Sequence, residues 1–528
     1  MTHRKMNVSS CRRAGLLGLL VALNITSLAK ADGWIVDDQT QWTSDTLANP
    51  EVELEGGLAT PKVSSATIQS KLKTFAEKRS ASSMVVSQTT AWQNWEPTDI
   101  GPQATRDAPV LLRMGPKDYW FFAKFGRPKS GKNGSEKFTA TDAQLKGFDI
   151  PLKTTQYPNQ YDAPGGLKKS AGGYHAWQSH DMIHWVHHGC VTSGKAGWVT
   201  TAEVVDGKVY LFYDFPNDQD PHLVIDDDLF DGVPGTSMGM VFSDPSDGSD
   251  VAIIRDLNGT FHCIYEDWSP IDPSTHSWDS PLAGHAVSPD GITPFEIVGI
   301  AVDERTEPTG KFAEYFHPHW YAAAPNKFPG KPVPQDIKQH RIKKGDIRSF
   351  SKYEIHEPEQ NAYGDWAAIA IGGQYYLFCD VDPATSHQRD GMSVGWFTST
   401  DINEPFQFCD HIGKGHPDPD IMFAEGRFYL ATQTNEDYVS PGPWVDGVEA
   451  RVGVDTDNDT LINQWTSWQT LKESYEAVPG FAKQVAKTPA RMDLSDLPAG
   501  YGFQFEIRLN DTTENDSKPN LDRVEMEF

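Results

Sequence analysis

Residues 367–380 read "AAIAIGGQYYLFCD" and residues 420–433 read "DIMFAEGRFYLATQ". Each is a short apolar run, a turn built on glycine and a second run rich in aromatics, the pattern of a β-hairpin with a buried face. Working outward, the same unit recurs as "APVLLRMGPKDYWFFAK" (108–124), "AEVVDGKVYLFYD" (202–214) and "VAIIRDLNGTFHCIYED" (251–267). Four of the five share one register: Gly207-Lys-Val-Tyr210, Gly259-Thr-Phe-His262, Gly373-Gln-Tyr-Tyr376 and Gly426-Arg-Phe-Tyr429. A second repeat follows three of them: "AWQSHDMIHWVHHG" (176–189), "AVSPDGITPFEIVG" (286–299) and "WFTSTDINEPFQFCD" (396–410). In each, the Asp of Ser-x-Asp can bond its own backbone in a turn, and the aromatic after it can pack inside the next strand. Hairpin after hairpin, five times over, predicts an all-β chain folded as a five-bladed β-propeller. The propeller core would occupy 105–444. An N-terminal extension (32–104) would precede it, and a C-terminal β extension with the last blade strands (445–528) would follow. Within the first extension, "SSATIQSKLKTFAEKRS" (64–80) sets Ile68, Leu72 and Phe75 on one helical face and predicts a helix.

Composition narrows the function. The chain has 528 residues, 23% charged and 11% aromatic, with 44 glycines, which suits a globular, turn-rich β protein. Residues 1–31 carry Arg4, Lys5, Arg12 and Arg13, then "AGLLGLLVAL", then Ala29-Lys30-Ala31. That order is a secretory signal peptide, so a secreted or periplasmic protein is expected. No later apolar run is long enough for a membrane span. Removing the signal shifts the net charge from −27 to −32, which argues against nucleic acid as a partner. Cys190, Cys263, Cys379 and Cys409 show no paired spacing for zinc, and Cys263 and Cys379 read as buried thiols within strands.

In a propeller the residues that open the innermost strands converge at one mouth. Here Asp107, Asp250, Asp365, Asp418 and Asp420 open four of them, with Glu203 slightly inside the other. Converging carboxylates suit cleavage of a glycosidic bond, which needs an acid at the leaving oxygen and a base or nucleophile on the other face of the sugar. "RDAPVLLRMGPKDYWFF" and "SDVAIIRDLNGTFHCIYED" resemble the first and third blades of the five-bladed glycoside hydrolases, the clan of arabinanases, xylosidases, invertases and anhydrogalactosidases. The resemblance implies Asp107 as general base, Asp250 as modulator of the acid's pKa, and inversion. The clan's fourth blade opens with a Glu as acid. This chain has "HEPEQNAYGDWAAIAIGG" there, leaving Glu359 and Asp365 as candidates, with Glu357 after them. The anhydrogalactosidase family, which acts on red-algal galactan, implies a histidine acid instead, for which His317, His319 and His416 are available.

The expectation is therefore an exo-acting hydrolase whose partner is a plant or algal oligosaccharide or polysaccharide. The alternative is a non-catalytic carbohydrate-binding propeller. Asp218, His222, His319, His416 and Asp418 are candidates to border the pocket. Trp92, Trp95 and Trp268 lie in turns and are candidates to stack on sugar faces, with "WQNW" as the pocket wall. No cofactor is required for this chemistry. Asp455, Asp457 and Asp459 alternate as in a calcium loop and are the candidate ligands of a structural Ca2+, although the loop lacks the usual Gly and the terminal acid.

Overall fold

The computed structural model describes residues 33–88, 92, 94–103, 105–125, 153–155, 159–163, 173–194, 198–215, 221–243, 250–267, 280–304, 361–383, 391–415, 417–433, 436–444, 447–511 and 518–528. The signal segment, Glu357, Glu359, Asp218, Trp268, His317, His319 and His416 all lie outside them.

The described chain is almost all β. Each recurring hairpin starts a sheet. The first sheet runs Thr105–Gly115, Asp118–Phe125, Tyr174–Ser179, Trp185–Cys190, with two short strands beyond. The second is Val199–Val205, Lys208–Asp214, Pro221–Asp226, Thr236–Met240, and the third Ala252–Arg255, Phe261–Glu266, Leu282–Ser288, Glu296–Asp303. The fourth opens with Ala362–Ile371, Gln374–Asp382, Ser393–Ser399 and Gln407–Ile412. The fifth is Asp420–Ala424, Arg427–Ala431 and Asp437–Ser440, and its outer strand is Glu96–Thr98 from the N-terminal segment. The hairpin turns explain the shared register. Asp206-Gly207, Gly372-Gly373 and Glu425-Gly426 each hold two consecutive positive φ angles, the turn whose twist matches the flanking strands.

The five sheets follow one another in a closed circuit. Their first strands touch in the order first, second, third, fourth, fifth and back to first. A separate apolar core fills each gap. Leu112 and Trp120 meet Val204 and Leu211; Phe212 meets Ile253 and Phe261; Ile254 and Ile264 meet Ala368 and Phe397; Phe378 and Trp396 meet Ile421 and Phe428; Met422 and Ala424 return to Leu111 and Phe121.

The two chain ends build a further unit together. One sheet joins Gly33–Val36, Val52–Glu55, Leu58–Pro61 and Ser83–Gln88 to Ala490–Asp493 and Leu521–Glu527. A second joins Ser65–Gln69 and Lys73–Arg79 to Val448–Asp455 and Gly500–Asn510. Trp34, Trp42, Met84, Val452, Phe503, Phe505 and Met526 share one core in it. The expected helix at 64–80 is corrected here: it is two strands. Ala66, Ile68 and Ser70 are buried while the residues between them are not, a two-residue alternation that pairs Ala66 with Leu509 and Ile68 with Ile507. Phe75 packs on Phe503 and Phe528. Among the described residues the one helix is Gln39–Asp45, capped by Asp38 through Gln41 N.

A returning segment, 480–485, crosses the far end of the five first strands and touches every one. The Lys483 ammonium donates to Asp420 Oδ1 at 2.7 Å, to Ile421 O at 3.2 Å and to Leu111 O at 3.5 Å. Ala482 N donates to Glu203 Oε1 at 2.8 Å, Gln484 Nε2 to Arg255 O at 2.8 Å, and Ala370 N to Lys483 O at 2.9 Å. Arg255 donates to Gly480 O and lies over the Phe481 ring.

Candidate functional site

At the opposite end, the first strands begin irregularly, and the irregularities fall in register. The ladder of the first sheet breaks between Arg106 and Val110, that of the second between Val199 and Thr201, and that of the fourth between Gly364 and Ala367. Asp107, Thr200 and Asp365 occupy those breaks. Asp250 and Asp418 stand just ahead of the third and fifth first strands. Such bulges re-aim a side chain away from the ladder. All four aspartates have left-handed backbones, with φ of 63°, 51°, 52° and 37° for Asp107, Asp250, Asp365 and Asp418. A non-glycine residue held there costs about 1–2 kcal/mol, and such strain concentrates at functional sites.

Two of these turns are pinned by one device. Asp214, ending the second strand of the second sheet, accepts from Asp250 N at 3.2 Å. Asp380, in the same strand of the fourth sheet, accepts from Asp418 N at 2.7 Å. The second sheet thus holds the opening aspartate of the third, and the fourth that of the fifth.

The result is a small, open pocket lined by Ala108, Pro109, Trp198, Thr200, Asp250, Asp365, Trp366, Asp418 and Pro419. Asp107 borders it beside Ala108. Its carboxylate is 2.9 Å from the Lys124 ammonium, which lies 4.3 Å over the Trp198 ring. Tyr174 donates to Ala108 O at 3.3 Å. Burial pushes its hydroxyl well up, and the nearby Asp107, Asp418 and Asp214 add to this, so it stays a neutral donor. Asp365, Asp380 and Asp418 offer oxygens within 4.8 Å of one another. Carboxylates that close form an arrangement for sharing a proton or holding a cation.

Several expected residues are placed elsewhere. Glu203 is corrected from pocket to far end: it is fully buried and accepts from Val204 N and Ala482 N. Burial pushes its carboxyl up, against those two N–H groups and the charges of Arg255 and Lys483. Asp420 likewise faces Lys483 and Leu111 N. His222 lies on a third strand, against the rings of Tyr213 and Phe215. Trp92 and Trp95 are corrected from sugar platforms to core. Their rings stack at 4.8 Å and are edged by Phe378 and Phe428 between the fourth and fifth sheets. Their apolar area found a larger partner in the intersheet gap than at the mouth. Trp92→Ala is therefore expected to cost about 3–5 kcal/mol in urea unfolding while leaving KM unchanged. Thr200, Trp198 and Trp366 went unnoticed in the sequence; the available signal was their place beside the strand openings.

Asp455, Asp457 and Asp459 do converge, with oxygens within 4.8 Å. The turn is also held by itself. The Asp455 carboxylate accepts from the N–H groups of Asp457, Asn458 and Thr460 at 3.2, 2.8 and 3.0 Å. Desolvation would raise this carboxyl, but the N–H groups outweigh it and hold it below its usual range. Asp457 Oδ1 accepts from Asn463 and Asp459 Oδ1 from Leu461 N. Chelation with EDTA is accordingly expected to leave the thermal midpoint unchanged; a clear fall that Asp457→Asn/Asp459→Asn abolishes would assign the loop to calcium. Among the described residues Cys190, Cys263 and Cys379 are buried and Cys409 is half-buried.

No family model matches the chain, and no curated protein matches it. Among solved structures it is similar to a thermostable family-43 glycoside hydrolase at 11% identity, covering 64% of this chain and 89% of that one, TM-score 0.36. It is similar to the α-L-arabinanase of Cellvibrio cellulosa complexed with arabinohexaose at 11% identity, with 64% and 92% covered, TM-score 0.36. A β-xylosidase/α-arabinofuranosidase from a compost microbial metagenome, in complex with xylotriose and calcium-free, matches at 13% identity, 66% and 94%, TM-score 0.34.

Proposed function

We propose that this chain is an exported glycoside hydrolase built on a five-bladed β-propeller, acting from the end of a plant or algal oligosaccharide with inversion. The carrying observation is the set of Asp107, Asp250, Asp365 and Asp418, all in strained left-handed conformations where four of the five first strands open, with the last three lining one pocket and Asp107 beside its Ala108 wall. A turn-forming aspartate needs no such common register; a site that must aim several carboxylates at one small volume does. The circuit of five sheets with five separate cores supports the propeller reading.

In this reading Asp107, oriented by Lys124, receives the proton of the attacking water. Asp365 protonates the leaving oxygen, its proton shared with the Asp380 carboxylate beside it. Asp250, a wall residue between them in ring order, modulates the acid and holds sugar hydroxyls. Closure of the far end by Lys483 leaves the mouth as the route of entry, which favours attack on chain ends. Export rests on residues 1–31, and a red-algal galactan stays among the substrates to be assayed.

The test is incubation with xylo-, arabino- and red-algal galacto-oligosaccharides, following new reducing ends and, by NMR, the anomer released. Release of single sugars with inverted configuration is expected. Binding across the panel with no release would make the chain a carbohydrate-binding propeller instead.

A further inference from the structure

The ring of strand openings is not uniform. Four openings carry a left-handed aspartate, whereas the second sheet's opening carries Thr200, whose backbone is not left-handed and whose side chain is a neutral hydroxyl. Thr200 lines the pocket, and its Oγ1 is buried without a hydrogen-bond partner. Directly after Asp365, Trp366 also lines the pocket, is 1% exposed, and has an indole N–H without a partner. Its ring is fixed by Tyr363 and Phe397, and its backbone N donates to Asp250 O at 3.1 Å, so it cannot swing away to find one. Other buried indoles, such as Trp92 and Trp177, lack partners too; like Trp366, which packs in the core between the third and fourth sheets, they belong to intersheet cores, but they do not line the pocket. Among the described residues, Trp366 is the orphaned indole that lines this pocket.

A buried donor left unpaired has lost its hydrogen bond to water, a loss that a ligand can recover by supplying an acceptor. We propose that Thr200 and Trp366 are the specificity-determining residues of the pocket, reading two oxygens of a neutral sugar ring: Trp366 Nε1–H donates to one, and Thr200 Oγ1 exchanges a hydrogen bond with the other. The chemistry divides cleanly. The aspartates can only accept from hydroxyls when ionised; the indole can only donate, and so requires an acceptor oxygen. An acidic sugar or a sulfate would also accept from the indole. It would, however, sit against Asp250, Asp365 and Asp418, and the Lys124 ammonium beside the pocket is already paired with Asp107.

The inference rests on the hydrolase reading for its sugar, and the experiment separates the two. The unaltered chain, Thr200→Val, Thr200→Ser and Trp366→Phe are assayed on p-nitrophenyl arabinofuranoside, xyloside and galactoside. The monodeoxy analogues of the best of these follow, with association constants replacing kcat/KM where a sugar binds without turnover. Thr200→Val and Trp366→Phe are each expected to lower the measured constant about ten-fold, the worth of one hydrogen bond. Each should lose nothing further on the one analogue that lacks the oxygen it reads, and Thr200→Ser should restore most of the loss. A purely structural role would lower all analogues equally. That result, or no loss at all, overturns the assignment and leaves the hydrolase reading standing. Neither turnover nor binding of any of these sugars by the unaltered chain overturns both.

Discussion

Asp365→Asn is expected to lower turnover of a natural oligosaccharide by about 10²–10⁴-fold, while a dinitrophenyl glycoside, whose leaving group needs no proton, loses far less. Asp107→Asn should lose a similar factor on both substrates, because the base is needed whatever departs. The asymmetry follows from position. Asp365 shares its corner of the pocket with Asp380 and Asp418, while Asp107 faces the Lys124 ammonium on the neighbouring strand of its own sheet. A steady-state comparison of the two variants on both substrates checks it. If Glu359→Gln instead shows the leaving-group dependence and Asp365→Asn does not, the acid belongs to Glu359 and Asp365 becomes a neighbour of the reaction.

The second large effect concerns stability. Lys483→Met is expected to destabilise the chain by about 3–5 kcal/mol in urea unfolding, because it strands the Asp420 carboxylate in the hub. That carboxylate is 1% exposed. Burial pushes it up, and Lys483 with the N–H groups of Leu111 and Ile421 works against that. The double variant Lys483→Met/Asp420→Asn should recover much of the loss, since a neutral amide tolerates the site better than an unpaired charge. The pair lies beyond the pocket, so the KM of the single variant is expected to hold wherever it folds.

The local parts of this architecture were legible because their signals are local. Turns such as Asp206-Gly207 and Gly372-Gly373, set between apolar runs, announce hairpins in any window of a dozen residues, and aspartates before strands can be lined up by eye. What escaped reading depends on partners far away in the chain. Lys483 looks like any surface lysine until Asp420, Leu111 and Glu203 close around its segment. The strands at 65–69 and 73–79 carry enough helical spacing to mislead, and only the ladder to Gly500–Asn510 decides them. Glu96–Thr98 completes the fifth sheet although it precedes the first, an exchange that no repeat search would expose. Thr200 escaped because a threonine at a strand opening signals nothing until its bulge is superposed on those of Asp107 and Asp365.

The most direct trial of the ring of acids is a crystal structure of Asp107→Asn soaked with an oligosaccharide that the unaltered chain cleaves. One sugar ring is predicted to lie in the pocket between Asn at 107 and Asp365, within hydrogen-bond reach of Asp250, with its glycosidic oxygen toward Asp365. A sugar seated away from these residues, with the pocket left to water, would contradict the account.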